Sequence, residues 1–382
     1  MTSQSKKNIR ILHVLGGMNR GGAETWLMHV LRHIDRKRFH MDFLVHTDNP
    51  CVYDDEIRMF GSDIIPCLKP SHPFRYAMNF FRITKERAPY DVIHSHVHHY
   101  SGFVLWLAHT VGIPIRIAYS HSVTSSTDNT DSNVAIFRKS YLCLMEQLVK
   151  RYATIGLAAS QKAAAALYGS DWEKDPRWQI LCCGIDLSPF AAEVDPVEVK
   201  KNLGIPPNAF VVGHVGRFSA VKNHAFLVDI IACLVKKVPN VVLLLVGDGP
   251  LRPTIEKKVA YSGLTDHVIF TGLRSDVPYL MMGAMDAFLF PSCYEGLGLV
   301  LVEAQSAGLP CVFSDIIPHE ADVIPALINR VAFDSSPEKW ADIVIKAKES
   351  VPMSKKQAVG LVWRSPFNIT LSVEQLMKVY DA

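Results

Sequence analysis

The sequence predicts an α/β protein made of two doubly wound domains, each built on a parallel sheet. Short apolar segments rich in β-branched residues alternate with longer helical patterns, which is typical of parallel strands joined by crossover helices. This series of strands runs twice, and acidic residues and prolines cluster between the two series near residues 188–200. A chain of 382 residues is also too long for one ordinary hydrophobic core.

The strand segments give the domain boundaries. The first series covers residues 9–15, 41–46, 92–96, 115–119, 154–158 and 178–182, and the second covers 210–215, 241–246, 268–271, 287–290 and 311–314. We predict an N-terminal domain over residues 1–190, a C-terminal domain over 191–364, and a terminal helical segment, 365–382, whose placement the sequence leaves open. Ligands bind such sheets at the carboxyl ends of the strands, and two facing sheets would leave a cleft between them.

The composition excludes several classes of protein. Charged residues make up 20% and hydrophobic residues 49% of the chain, which is a globular composition, and the net charge of +3 is too small for a dedicated nucleic-acid binder. The eight cysteines form no C-x-x-C pair, so we expect a reducing cytoplasm. No apolar run is long enough to span a bilayer, so any membrane contact would be peripheral. The first apolar run contains His13 and ends in glycines, which predicts a strand and not a signal peptide.

A glycine-rich loop, residues 16–22, follows the first predicted strand and precedes a helix. Such a loop lets backbone N–H groups approach an anion at the helix N-terminus. The dinucleotide fingerprint is absent, and Ala23 and Glu24 stand where a phosphate loop would carry its lysine. The alternative is a tight turn whose glycines need positive φ.

Four histidines lie near the ends of the next strands. In "HSHVHH", His94, His96 and His98 would share one face of a strand, which raises a metal site as an alternative. No cysteine or carboxylate follows nearby, so we favour no metal. His121 ends the following strand, either as a site residue on the same sheet edge or as an ordinary loop histidine.

Two cations follow the first strand of the C-terminal domain. Arg217 and Lys222 lie in "GRFSAVKNH", just past a strand end and before an apolar helix. Two cations in that position can clamp a diphosphate, because charge-assisted hydrogen bonds each contribute about 1.5–3 kcal/mol. The alternative is a solvated surface loop.

Two glutamates flank the start of a predicted helix in "CYEGLGLVLVEAQSAG". Glu295 precedes the helix, and Glu303 is expected about two turns inside it. Eight residues of helix span about 12 Å, whereas glycoside hydrolysis needs carboxyl groups about 5–9.5 Å apart. The spacing suits a nucleotide sugar, with Glu295 on the sugar, Glu303 on the ribose, and the helix N-terminus on the phosphates. The alternative is two glutamates on a surface helix.

These residues resemble a known family. The E-x7-E pattern from Glu295 to Glu303 is similar to the signature of the retaining family-4 glycosyltransferases. The resemblance extends to about residue 345 through "GGMNRGGAETWLMHVL", "YDVIHSH", "IRIAYSHS", "CCGIDLSPF", "GRFSAVKNH", "LLLVGDGP", "VIFTGLRSDVP" and "MDAFLFPS". In "CCGIDLSPF", cysteine replaces the asparagine of the family's interdomain signature.

The resemblance implies the GT-B fold, with two Rossmann-like domains that face each other across a cleft. It implies an N-terminal acceptor domain, a C-terminal nucleotide-sugar domain, no cofactor and no obligatory metal. Its catalytic residues would be Glu295 on the donor sugar, His121 facing that sugar, and Arg217 and Lys222 on the diphosphate. Its donor-binding residues would be Gly21 and Gly22 over the phosphates, Gly272, Leu273 and Arg274 along the nucleobase, Gly296, Leu297, Gly298 and Leu299 at the helix N-terminus, and Glu303 on the ribose.

The N-terminal half resembles transferases of bacterial capsule and exopolysaccharide assembly, which implies a lipid-linked saccharide acceptor. In "HPFRYAMNFFRITKER", basic residues and phenylalanines indicate either an interfacial helix or an ordinary crossover helix. We therefore expect a cytoplasmic, peripherally membrane-associated retaining transferase that uses a UDP-linked sugar to extend a polysaccharide precursor. The alternatives are a GT-B enzyme with a small soluble acceptor, a sugar-nucleotide epimerase, and a non-catalytic nucleotide-sugar-binding subunit.

Overall fold

The computed structural model describes residues 8–68, 70–87, 89–123, 132–349 and 353–382. Within these ranges the chain forms two compact units. Residues up to Ile185 form the N-terminal unit together with Ile369–Ala382, and Asp186–Asn368 form the C-terminal unit. The sequence placed the domain break after residue 190, whereas the second unit begins five residues earlier, at Asp186. Phe190, which the prediction assigned to the first domain, belongs to the second unit and is buried.

The N-terminal unit contains a seven-stranded parallel sheet in the order β3-β2-β1-β4-β5-β6-β7. Its strands are β1 Ile9–Leu15, β2 Phe39–Val45, β3 Ile64–Pro66, β4 Val92–Ser95, β5 Ile115–Ser120, β6 Ile155–Ala158 and β7 Trp178–Ile180. Its helices are α1 Gly22–His33, α2 Asp54–Met59, α3 Pro73–Arg87, α4 Ser101–Thr110, α5 Ser132–Tyr152 and α6 Gln161–Tyr168, with the C-terminal α14 Ile369–Tyr380.

The C-terminal unit contains a six-stranded parallel sheet in the order β10-β9-β8-β11-β12-β13. Its strands are β8 Phe210–Val215, β9 Val241–Val246, β10 Val268–Gly272, β11 Ala287–Phe290, β12 Cys311–Ser314 and β13 Ile328–Val331. Its helices are α7 Pro196–Asn202, α8 His224–Val235, α9 Arg252–Tyr261, α10 Val277–Gly283, α11 Leu299–Ser306, α12 Pro337–Glu349 and α13 Lys355–Trp363.

The central strands of both sheets are buried on both faces, as expected for parallel sheets covered by helices. Every residue of β9 and β11 is buried. Side chains of α8 and α12, including Leu227, Ile231 and Trp340, pack over one face of the C-terminal sheet. The predicted fold class, two Rossmann-like parallel α/β domains, is confirmed.

All eleven predicted strand segments are strands, but two edge strands escaped the sequence pattern. Ile64–Pro66 has only three residues and includes a proline, and Ile328–Val331 carries Asn329 and Arg330 in its middle. Short or polar edge strands lack the apolar run that marks a central parallel strand.

The terminal helix α14 packs in the N-terminal unit. The Ser372 hydroxyl donates to the carbonyl of Cys182 at 2.8 Å and lies 3.4 Å from the indole nitrogen of Trp26. Its buried face consists of Ile369, Ser372, Val373, Leu376 and Tyr380. Leu371 lies outside this face and is exposed.

None of the helices in the described ranges combines the length and the apolar character that crossing a bilayer requires. The segment "SVTSSTDNTDSN", which we expect to influence acceptor choice, lies largely outside the described residues.

Candidate functional site

In the C-terminal unit, Lys222 and Glu295 form an ion pair at the carboxyl edge of the sheet. The Lys222 Nζ lies 2.6 Å from Glu295 Oε1, and the side chains of Lys222 and Glu295 are only 20% and 14% exposed. Lys222 follows β8 and Glu295 follows β11, and these two parallel strands are neighbours in the sheet. The predicted lysine and the predicted glutamate therefore lie in one place because adjacent strand ends meet there.

Two hydrogen bonds join the loops that carry this pair, one between backbone groups and one from a side chain to a backbone carbonyl. The N–H of Cys293 donates to the carbonyl of Val221 at 2.8 Å, and the Asn223 amide donates to the carbonyl of Pro291 at 3.3 Å. Asn223 has φ of +54°, in the left-handed region that few non-glycine residues adopt. Lys222 Nζ also lies 4.7 Å from the centre of the Phe290 ring, which fixes its direction further.

The start of α11 lies directly after Glu295. Gly298 precedes the helix with φ of +87°, and no side chain caps the helix at that residue. Gly296, Leu297 and Gly298 are buried, and Leu299 is the first helical residue. Because the first N–H groups of a helix lack intrahelical acceptors, this end can bind an anion through its backbone.

Glu303 lies in α11 four residues after its first residue, a little over one turn inside the helix and not the two turns predicted. Its carboxylate has no hydrogen-bond or ion-pair partner among the described residues. Although the residue is not fully buried, desolvation raises the pKa of its carboxyl group to about 7. Glu303 is therefore a poorly satisfied carboxylate, unlike Glu295.

Gln305 is a residue that the sequence did not single out. Its amide nitrogen donates to the carbonyls of Leu301 and Ala321, and its oxygen accepts from the N–H groups of Val323 and Ile324. The bond to Leu301 lies within α11, and the other three bonds of this buried side chain join α11 to the segment after β12. A lone buried glutamine in an apolar helix is the only signal that the sequence offered.

The other predicted donor residues of this unit lie along the same sheet edge. Arg217 is exposed after β8, and its guanidinium has no partner among the described residues. Gly272 ends β10 with φ of +70°, and Leu273 beyond it is 60% exposed. Arg274 is held by Asp276 through two hydrogen bonds of 2.8 and 2.6 Å, so its charge is already paired.

In the N-terminal unit, Gly21 precedes α1 and Gly22 begins it. Neither glycine has positive φ, nor do Gly16 and Gly17, so the tight-turn alternative is wrong. A Cβ atom at Gly21 would lie 2.3 Å from Glu24 Oε2, but that atom is the far end of a flexible side chain that can move aside, so this contact does not by itself require glycine.

His121 follows β5, and protein groups face both of its ring nitrogens. Its Nε2 lies 2.8 Å from Nδ1 of His96, and its Nδ1 lies 3.8 Å from the Cys183 sulfur. The ring stacks on Tyr119 with 4.0 Å between centres. Burial lowers the pKa of His121 to about 3, so the ring is neutral at physiological pH.

The predicted row of His94, His96 and His98 is not the histidine group that forms. His98 has φ of +49° and its ring turns to the carbonyl of Ser122, while His13 of β1 lies beside His94 and His96. One ring nitrogen from each of His13, His94 and His96 lies within 4.8 Å of the others. Around zinc, with bonds of about 2.0–2.1 Å, such nitrogens would be about 3.4 Å apart.

A metal is not needed to explain this cluster. Nδ1 of His13 and Nε2 of His96 are 3.0 Å apart, which is a hydrogen bond between the rings. The nearby carboxylate of Asp42 already accepts from Arg10 and Tyr90, so it is not available to offset the charge of an ion. The arrangement fits hydrogen-bonded neutral rings better than a cation site.

Comparison with known proteins identifies the family. Residues 197–358 match the model of the glycosyl transferases group 1, and residues 21–177 match a glycosyl transferase 4-like domain. Over 97% of its length the chain is 33% identical to the putative glycosyltransferase EpsF of Bacillus subtilis (strain 168), of which 96% is covered. The chain belongs to the group 1 glycosyl transferases. The family that the sequence motifs resemble is thereby confirmed.

A further sequence relative and a solved structure are also similar to this glycosyltransferase. It is 24% identical to the UDP-Gal:alpha-D-GlcNAc-diphosphoundecaprenol alpha-1,3-galactosyltransferase of Escherichia coli, over 81% of this chain and 79% of that protein. The crystal structure of Anabaena Alr3699/HepE in complex with UDP matches with a TM-score of 0.79 and 21% identity, over 98% of this chain and 100% of that one. This likeness shows that the fold is GT-B.

Proposed function

We propose that the glycosyltransferase transfers a sugar, with retention of configuration, from a UDP-sugar to a lipid-linked polysaccharide precursor. The observation that carries this proposal is the partly buried Lys222–Glu295 pair beside the N-terminus of α11. It places a cation, a carboxylate and free backbone N–H groups together, which are the groups that a sugar diphosphate requires.

Lys222 retains binding capacity while it is paired. An ammonium group has three N–H donors, and only one is directed to Glu295 Oε1. The others can reach a diphosphate, together with the exposed guanidinium of Arg217 and the helix N-terminus. Stabilisation of the leaving diphosphate would then supply most of the rate enhancement, because these groups are already oriented where negative charge develops.

The two glutamates would bind the two ends of the donor. Glu295, oriented by Lys222, accepts from hydroxyls of the transferred sugar, while Glu303 accepts from the ribose hydroxyls. Hydrogen bonds to a carboxylate favour its charged form, so ribose binding would offset the desolvation that raises the pKa of Glu303. We propose that Gly272–Arg274 line the nucleobase, with the exposed Leu273 against its face.

A nucleotide screen tests the donor site. We expect UDP to raise the melting temperature of the transition that involves the C-terminal unit by several degrees, since about 100 Kd of ligand stabilises by about 2.7 kcal/mol. GDP and ADP should give smaller shifts. Lys222→Ala should abolish the UDP shift, whereas Lys174→Ala, an exposed lysine in the other unit, should leave it intact. Absence of a shift with all three nucleotides would refute the donor site.

Retention and metal independence need separate measurements. For retention, we propose that the leaving phosphate oxygen accepts the acceptor's proton during attack on the same face of the sugar. The anomeric coupling constant of the product should then match that of the donor, and an inverted product would contradict this step. For the metal, we expect activity to survive EDTA, since Arg217, Lys222 and α11 supply the positive potential; loss of activity that Mg²⁺ or Zn²⁺ restores would overturn this proposal.

A lipid-linked acceptor is supported by one face of α3 and by the acceptor in the Escherichia coli relative's name. Phe80 is buried in the core and Phe81 packs against it, as in an ordinary crossover helix. Phe74 and Met78, however, are 79% and 56% exposed. With Arg75, Arg82 and Lys85 they lie within about 100° of the helix circumference, opposite the buried face.

An apolar and basic face of this kind suits an anionic membrane surface. We expect the protein to sediment with phosphatidylglycerol vesicles and not with phosphatidylcholine vesicles. The double variant Phe74→Ser/Met78→Ser should weaken this binding without changing UDP binding. Equal sedimentation of the variant and the wild type would remove α3 from the proposal.

A further inference from the structure

Three histidine rings form a hydrogen-bonded line from the middle of the N-terminal sheet to His121. His13 lies in β1, His96 directly follows β4, and His121 directly follows β5, and these three strands are neighbours. Nδ1 of His13 lies 3.0 Å from Nε2 of His96, and Nδ1 of His96 lies 2.8 Å from Nε2 of His121. Each link thus joins Nδ1 of one ring to Nε2 of the next.

All three rings are neutral near pH 7. Burial lowers the pKa of His13 and of His121 to about 3, and it lowers the pKa of His96 well below its usual value. A neutral imidazole has one N–H donor and one lone pair. Since each link needs one hydrogen, the protons lie either all on Nδ1 or all on Nε2. Any mixture would place two hydrogens or two lone pairs against each other.

The buried end of the line decides between these two forms. Nε2 of His13 is buried and has no hydrogen-bond partner among the described side chains and backbone. With all protons on Nε2, this atom would be an unpaired buried N–H donor, whereas with all protons on Nδ1 it is only an unused lone pair. Unpaired buried N–H groups are the rarer of the two, and they carry the full desolvation penalty.

The other end accepts either form. Nδ1 of His121 faces the Cys183 sulfur at 3.8 Å, and the thiol can act as a weak donor or a weak acceptor. Burial raises the pKa of Cys183 to about 12, so this neighbour is not a thiolate that would fix the proton by its charge. The choice of tautomer therefore comes from His13, two rings away from His121.

We propose that His13 and His96 are positioning residues that hold His121 neutral, protonated on Nδ1, with its Nε2 as a hydrogen-bond acceptor. The functional part rests on the proposed function and on the role that the family resemblance implies for His121, which is to face the donor sugar. Positive charge develops at the anomeric carbon in glycosyl transfer, and an imidazolium ring beside it would oppose that charge. A neutral ring of fixed tautomer avoids this cost.

The wild-type protein tests the tautomer without any substitution. In the full chain labelled with ¹⁵N-histidine, two-bond ¹⁵N–¹H correlations distinguish Nδ1–H, Nε2–H and imidazolium rings. Between pH 6 and 8 we expect His13, His96 and His121 all to be Nδ1–H. An Nε2–H ring or an imidazolium at any of the three positions would overturn the proposal.

Variants of His96 test the coupling. His96→Asn keeps an amide donor near the position of Nδ1, and His96→Leu removes it, so His121 should stay Nδ1–H in the first and become a mixture of tautomers in the second. His94→Leu removes a buried ring outside the line and should leave the tautomer of His121 unchanged. A His121 tautomer that is the same in all three variants would refute the coupling.

Kinetics separate this proposal from the proposed function. We expect His96→Leu to lower kcat about tenfold with little change in the donor KM, and His96→Asn to recover part of the loss. If UDP binding is intact but the tautomers differ from those expected, only the proposed positioning role of His13 and His96 is refuted. If the tautomers are as expected but UDP does not bind, only the proposed donor site is refuted.

Discussion

At the scale of single residues, the two glutamates of the candidate site have opposite environments. Glu295 is paired with Lys222 at 2.6 Å, whereas Glu303 has no partner among the described residues and a pKa raised by desolvation to about 7. The sequence placed both residues at one helix but could not distinguish these environments. Pairing depends on the loop after β8, which is remote in sequence.

Glu303→Gln should stabilise the ligand-free protein. Its native pKa of about 7 lies above the ordinary 4.5, so ionisation of Glu303 opposes folding at pH 8.5 by about 3 kcal/mol, and this cost vanishes below pH 4.5. Urea unfolding should show the variant more stable at pH 8.5 and equal to the wild type at pH 4.5.

The same substitution should weaken UDP binding at pH 8.5 if Glu303 accepts from ribose. Glu295→Gln is the matched control, because it leaves Lys222 without its partner and should not stabilise the protein at any pH. A Glu303→Gln variant that is less stable than the wild type at pH 8.5 would show that Glu303 is satisfied in the native state.

Lys222 and Glu295 should be energetically coupled in the absence of ligand. Both side chains are largely removed from water, so each single substitution, Lys222→Met or Glu295→Gln, leaves the other group unpaired at a cost of about 1–3 kcal/mol. The double variant should lose less than the sum, and a double-mutant cycle in urea measures the difference. The exposed Lys174–Asp171 pair is the control and should show no measurable coupling. Additive losses at Lys222 and Glu295 would contradict the pairing.

At the scale of secondary-structure elements, the period of the apolar pattern predicted the central strands, but the order of the strands was not readable. Lys222 meets Glu295 because β8 lies beside β11, and His13 meets His94 because β1 lies beside β4. These adjacencies depend on packing between distant parts of the chain. For the same reason, the role of His13, in the middle of an apolar strand, had no local signal.

The turn that begins α8 carries a testable conformational constraint. Asn223 has φ of +54° and joins the loop of Lys222 to the carbonyl of Pro291. Asn223→Val places a β-branched residue in the left-handed region and should lose about 1–2 kcal/mol relative to Asn223→Gly, which adopts this φ freely. Urea unfolding compares the two, and the affinity for UDP should follow the same order. Equal stability of the two variants would mean that the turn relaxes to another conformation.

At the scale of the whole molecule, the last helix completes the first unit. Tyr380 of α14 lies 2.9 Å from the buried ring of His94, and Asp381 pairs with Arg38 at 2.7 Å. The sequence identified the helix but not its place, since its apolar stripe could cover many surfaces.

Removal of residues 369–382 should destabilise the N-terminal unit selectively. The deletion exposes Trp26 and His94 to water, while no residue of the C-terminal unit's core belongs to the deleted segment. Hydrogen exchange should show faster exchange in β1 and β4 and unchanged protection in β8 and β9. Asp381→Ala, which removes only a partly exposed ion pair, is the control and should change exchange little. Uniform loss of protection in both units would contradict selective destabilisation.

Acid should unfold the N-terminal unit before the C-terminal unit. Burial lowers the pKa of nine histidines, seven in the first unit and two in the second: His13, His46, His94, His96, His98, His99 and His121, then His214 and His224. Above pH 6.5 these rings are neutral in both states and affect stability little.

Below pH 6.5 these histidines are protonated in the unfolded chain but stay neutral in the native protein, so the free energy of unfolding decreases as the pH falls. The decrease continues until the native pKa is reached, which is about 3 for His13 and about 4 for His46. Each such ring lowers the free energy of unfolding by up to about 1.4 kcal/mol for each pH unit of acidification. Glu303, in the second unit, has the opposite effect: between pH 7 and 4.5 its native carboxyl group binds a proton before the unfolded one does, which stabilises that unit as the pH falls. Calorimetry from pH 8 to 4.5 should therefore resolve two transitions that move apart. His46→Phe should reduce the pH dependence of the first transition by the equivalent of about one proton bound on unfolding. If both transitions instead move in parallel with pH, the assignment of these rings as buried and neutral is wrong.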